Sequence, residues 1–151
     1  MKIACFLTIV VLSFLVSCND EEKRFQKASY LERQYEEYVE SDDLVKQLNA
    51  LSPIETYILD KFPDTVPSWY SYVLALTNVR IALLCEKLGR VEEEKIALNK
   101  VLLYSSSLFE KETKYQEFSD SEKIEYLREI VLELDSCAKN GKKGTGLERE
   151  R

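Results

Sequence analysis

Four cysteines are the side chains of this 151-residue chain with the most obvious covalent chemistry, at positions 5, 18, 85 and 137. A thiol becomes a nucleophile or a metal ligand when a base or further ligands stand beside it. The sequence contains no histidine, which removes the commonest general base, every Ser-His or Cys-His pair and the commonest metal ligand. No cysteine has a neighbour at metal-ligand spacing, so no zinc or other metal site is expected. Glycine-rich phosphate loops and nucleophile elbows are absent. The triplet Glu92-Glu93-Glu94 reads as the first turn of a helix, where carboxylates suit the positive end of the dipole. The chain is therefore expected to be no enzyme, with no catalytic residues and no cofactor.

The surroundings of Cys18 are distinctive. Met1-Lys2 is a short basic start, Ile3 to Ser17 is a fifteen-residue and almost wholly apolar run, and Asn19-Asp20-Glu21-Glu22 follows the cysteine. A span needs about 18 or more apolar residues, so this run has the layout of a secretory signal rather than a stable membrane helix. The residues alone also admit an ordinary cleaved signal peptide or a short uncleaved anchor. Leu15-Val16-Ser17-Cys18 resembles the lipobox of bacterial lipoproteins. That resemblance implies removal of residues 1–17, lipidation of the Cys18 thiol with palmitate-type chains, and attachment to a bilayer in the cell envelope. Asn19 after the cysteine implies the outer membrane, on its periplasmic or its surface face. The acidic run in residues 18–24 is similar to a surface-export tether, or is simply a solvated spacer.

Charge restricts the partners further. The net charge is −6, and losing Lys2 with the leader would make it −7. An acidic chain is not built to hold nucleic acid or an anionic membrane surface by charge.

The elements that must position these residues read as helices throughout. Three of the four glycines (Gly141, Gly144, Gly146) fall in the last eleven residues, and all three prolines lie between Ser52 and Ser68. So few breakers in a body rich in Leu, Glu, Lys and Tyr predict an all-α bundle, one domain over residues 25–140, followed by a disordered tail at 141–151. Phe25, Ala28, Leu31, Tyr35, Tyr38 and Val39 form one stripe of a first helix ending near Glu40. Ser41 is expected to cap a second helix, Asp42 to Leu51. Ser52-Pro53-Ile54-Glu55 has the signature of a capping box with proline at the first helical position, starting a third helix that reaches about Lys61. Pro67 to Leu88 is apolar on most sides and should be the central helix. Gly89 separates it from Val91 to Ser105, and Ser119-Asp120-Ser121-Glu122 is a second capping box, opening a helix with Ile124, Leu127, Ile130, Val131 and Leu134 inward.

Around Gly89, residues 78–102 are similar to the middle of a tetratricopeptide repeat. Ala82 takes the small position, Gly89 the turn, and Val91 the apolar position after it. Asn78, Glu94 and Val101 depart from the pattern, and no second copy lies about 34 residues away, so a solenoid is not expected. The resemblance implies one helix hairpin packed inside the bundle.

Cys85 continues a face with Ile81, Leu84 and Leu88, and Cys137 one with Ile130 and Leu134. Both should point inward, which allows a disulfide in an exported protein and equally two reduced core thiols. In Pro67-Ser68-Trp69-Tyr70-Ser71-Tyr72, the residues Trp69, Tyr72, Val73 and Leu76 share a face expected to enter the core. Tyr70 points elsewhere and is the candidate interface anchor. Tyr30, Tyr35 and Tyr38 either form a groove or cover the core edge. The readings consistent with all of this are a membrane-anchored helical module that binds another envelope protein, and, as the alternative, a structural or defensive surface lipoprotein that excludes phage or conjugating DNA.

Overall fold

The structure, a computed structural model, describes the backbone of residues 21–111 and 115–145 and the side chains of 30–111 and 115–140. The described residues form five helices and no strand: α1 (Glu21–Glu40), α2 (Leu44–Lys61), α3 (Ser68–Leu88), α4 (Val91–Lys111) and α5 (Asp120–Thr145). Residues 1–20, with Cys18 and the apolar run before it, and residues 112–114 and 146–151 lie outside the described residues. The acidic run expected as a spacer enters α1 at Glu21, and α5 continues to Thr145, five residues past the expected end of the domain.

Helix α3 is the centre, as its all-round hydrophobicity predicts. Seven consecutive residues, Leu74 to Arg80, are buried, nearly two full turns with no solvent face. One side of α3 meets α1 and α2 in a cluster built on Val39, Leu48, Leu51, Ile54, Ile58, Leu74, Leu84 and Cys85. Another side meets α4 and α5 in a second cluster of Ala75, Leu76, Val79, Val101, Phe109, Leu127 and Val131. Fully burying a Leu or Ile contributes about 1.5–3 kcal/mol, and Leu51, Ile58, Leu74 and Leu127 are all essentially closed to solvent.

Residues 42–61 differ from the sequence reading. They form one helix rather than two, and Asp43 rather than Ser41 is its cap: its carboxylate accepts from the amides of Val45 and Lys46 at 2.8 and 3.1 Å. Pro53 sits inside this helix, and Ser52 caps nothing, donating its hydroxyl to the Leu48 carbonyl at 2.7 Å. An internal proline costs about 3 kcal/mol. The buried stripe Leu48, Leu51, Ile54 and Ile58, each residue contributing about 1.5–3 kcal/mol, outweighs it and carries the helix through. Phe62 ends α2 just before Pro63, its amide reaching the carbonyls of Ile58 and Leu59.

The α3–α4 hairpin is the most extensive helix contact. Gly89 lies at φ +69° in the left-handed region, its amide donates to the Glu86 carbonyl at 3.1 Å, and the Arg90 amide donates to the Cys85 carbonyl at 2.9 Å. This pair of bonds closes α3 as a Schellman cap. At the start of α5 the capping box forms as its sequence predicts. The Glu122 amide donates to the Ser119 hydroxyl at 3.3 Å, and the Ser119 amide donates back to the Glu122 carboxylate at 2.8 Å.

Candidate functional site

The most polar place in the bundle is also one of its most buried. Arg80 extends from the middle of α3, and Asp135 stands on α5 in the row Leu127, Val131, Asp135, whose members are four residues apart and all buried. The Arg80 Nη2 and Nε donate to Asp135 Oδ1 at 2.7 and 3.0 Å, and Nε also reaches Oδ2 at 3.2 Å. Helix α1 completes the cluster: the Tyr35 hydroxyl donates to Oδ1 at 2.8 Å and the Tyr38 hydroxyl to Oδ2 at 2.7 Å. The guanidinium carbon lies 4.9 Å from the Tyr35 ring centre and 5.8 Å from that of Tyr38.

Every donor here holds its proton. Burial pushes the Tyr35 hydroxyl up to about 12, and the neighbouring Asp135 adds to the shift while Arg80 opposes it. Burial and Asp135 also raise Tyr38 well above the ordinary phenol range. Burial disfavours the Arg80 charge, but Asp135 more than offsets that, and the guanidinium is held above its ordinary value. Both carboxylate oxygens are occupied by donors from two other helices, and no buried side-chain N or O among the described residues lacks a partner. The polar atoms of the cluster are thus engaged with one another. What the cluster does is fix α1, α3 and α5 in one register.

A second polar contact joins α2 to α4. Glu55 receives the Lys100 ammonium and the Tyr104 hydroxyl, each at 2.6 Å. Burial and the bond to Glu55 raise Tyr104 well above the ordinary phenol range. The residue that looks like the second half of a capping box is thus an interhelical clamp.

The residues expected to matter are placed as follows. Tyr70 is half-buried rather than an exposed anchor, with its ring centre 4.8 Å from that of Phe62 against the α1–α2 side of the core. Trp69, expected in the core, is 37% exposed in the first turn of α3, with its ring centre 6.2 Å from that of Tyr72. Tyr35 and Tyr38 cover the core edge and end in the Asp135 cluster, while Tyr30 stacks on Tyr57 at 4.3 Å. Cys85 and Cys137 are not joined by a disulfide. Cys85 is closed within the α2–α3 cluster, and burial pushes its thiol up. Cys137 stands two residues beyond Asp135, about 200° around α5 from the side chain that faces α3.

Shallow depressions mark the surface formed by the described residues. One, of about 510 Å³, lies at the α1–α2 turn and is lined by Glu37, Glu40, Ser41, Lys46, Asn49 and Ala50. Another, about 310 Å³, is bordered by Phe109, Tyr115 and Lys123. Among the described residues no three His, Cys, Asp or Glu side chains are grouped to hold a metal ion, and no helix is long and apolar enough to cross a membrane.

Arg80 and Asp135 belong to no sequence motif, although a signal for them exists. Arg80 is the only charged residue between Asp64 and Glu86, inside the most apolar helix, and Asp135 continues a buried spacing. Comparison with known proteins finds no matching family model, no matching curated protein and no matching solved structure.

Proposed function

We propose that the protein is a lipid-anchored, non-catalytic helical module of the bacterial cell envelope that works by binding another envelope protein. The observation that carries this reading is Leu15-Val16-Ser17-Cys18 at the end of a fifteen-residue apolar run, directly before an acidic stretch. Two or three acyl chains on Cys18 would hold the chain durably, since each buried methylene contributes about 0.8 kcal/mol. Lack of histidine across the whole sequence supports a role without general-base chemistry. The outer face of α4 offers the contact surface, with Ile96 and Leu103, two turns apart on one side, 56% and 65% exposed.

Metabolic labelling with palmitate tests the anchor: wild type should incorporate label and Cys18→Ala should not. Equal labelling of the two proteins refutes it. Crosslinking in the native cell tests the partner. A stoichiometric envelope protein should be captured by wild type and lost with Ile96→Asp/Leu103→Asp at unchanged thermal stability. Capture that survives this double change removes α4 from the interface.

A further inference from the structure

The distance between Cys18 and the first helix has a geometric consequence. Helix α1 starts at Glu21, three residues after Cys18, and three residues reach at most about 11 Å. An acyl anchor at Cys18 therefore leaves the bundle little slack, and the end from which α1 emerges must stay close to the bilayer.

Which end that is follows from the packing. Only residues 41–43 separate α1 from α2, and Tyr30 stacks on Tyr57, so the two helices run antiparallel. The N-terminal end of α1 thus lies beside the C-terminal end of α2 at Lys61 and the start of α3 at Ser68. Lys111, closing α4, comes within 3.5 Å of the Ser68 hydroxyl and belongs to the same end. From Tyr30 back to Glu21 is about 13 Å of helix, and from Tyr57 on to Lys61 about 6 Å. Helix α1 stands roughly 7 Å beyond the α2–α3 end, so with the link of at most about 11 Å that end stays within about 18 Å of the anchored residue.

The side chains there suit such a surface. Trp69 and Leu59 are each 37% exposed at this end, with Phe62 and Val66 half-buried behind them. Tryptophan favours the membrane–water interface because an apolar ring carries a polar N–H. The nearby described charges are of both signs with acids in excess: Asp60, Asp64, Glu110, Glu117, Asp120 and Glu122 against Lys61, Lys111 and Lys123. An acid-rich set without a basic cluster disfavours anionic headgroups and leaves zwitterionic ones as the compatible surface. The exposed apolar residues of the opposite end, Val45 and Val91, are aliphatic.

We infer that the α2–α3 end of the bundle rests on a zwitterionic lipid surface with Trp69 as its interfacial anchor, so that the Gly89 end and the outer face of α4 are held away from the bilayer. This inference rests on the lipid anchor at Cys18 proposed above.

Trp69 is the only tryptophan in the chain, so its emission reports on one site. The acylated full-length protein is reconstituted with phosphatidylcholine vesicles whose acyl chains carry bromine near the headgroup, and flotation with the vesicles is scored in parallel. Emission should fall by about half or more relative to unbrominated vesicles. A Trp69→Phe/Val91→Trp variant, which moves the reporter to the opposite end, should float equally and keep its emission. Protein that floats with Trp69 unquenched, or with both positions quenched alike, overturns the inference while leaving the anchor standing. Protein that fails to float overturns the anchor and this inference with it.

Discussion

Arg80 and Asp135 meet at 2.7 Å between α3 and α5, with side chains only 7% and 12% exposed. Two tyrosine hydroxyls from α1 fill the remaining places on the carboxylate. A buried ion pair is costly to assemble, yet removing one partner costs more than the pair contributes, because a charge is left stranded. Arrangements of the three helices that would separate Arg80 from Asp135 are therefore penalised by a stranded charge.

Asp135→Ala should lose about 3–5 kcal/mol of stability by leaving Arg80 unpaired, whereas Arg80→Met/Asp135→Leu should recover most of that loss. Urea unfolding followed by circular dichroism measures both. A double variant as unstable as the single one would show that the pair contributes net stability, not only register.

Tyr38→Phe removes one hydroxyl bonded to a charged group and keeps the ring, so it should cost about 1.5–3 kcal/mol. The pH dependence has a defined sign. Tyr35 loses its proton near 10 when unfolded and near 12 in the bundle, so the stability it contributes is complete below pH 10 and is lost as pH rises toward 12. The urea midpoint of wild type should fall across that window more steeply than that of Tyr35→Phe/Tyr38→Phe. Parallel curves would count against the buried hydroxyls.

Asp43→Ala should cost about 1 kcal/mol, the value of an N-cap, while Ser52→Ala should cost clearly less, since Ser52 only donates to a carbonyl of its own helix. Thermal melts of the two variants decide between one helix over 44–61 and two helices divided at Ser52. The reverse order would restore the division.

Gly89→Ala meets open space but keeps a left-handed backbone, and should cost about 1–2 kcal/mol. Gly89→Asn should cost less, because asparagine tolerates that conformation. Chemical denaturation reads both, and equal losses would argue against backbone conformation as the cause.

Several features were legible along the chain because their causes are local. Ser119 and Glu122 cap α5 because the chain just before them is already non-helical at Phe118. Gly89 ends α3 because its φ is open to glycine at no cost. The one-sided stripe of α1 and the all-round apolar surface of α3 foretell an edge helix and a central one. At Ser52 the same kind of local signal misleads. A buried stripe running through it, from Leu48 to Ile58, contributes more than the cap and the proline together can oppose.

The sequence by itself determined the helical class, the central place of α3, the turn at Gly89 and the lack of histidine chemistry, since each depends on residue type or on spacing within a single helix. Only the tertiary structure decided that Arg80 finds Asp135 fifty-five residues away, that Tyr35 and Tyr38 end on the same carboxylate, and that Glu55 clamps α4. It likewise decided that Tyr70 is half-buried against Phe62 while Trp69 is 37% exposed. Pairings of this kind depend on how separate helices cross, and helical periodicity fixes which face a residue occupies without fixing which neighbour that face will meet.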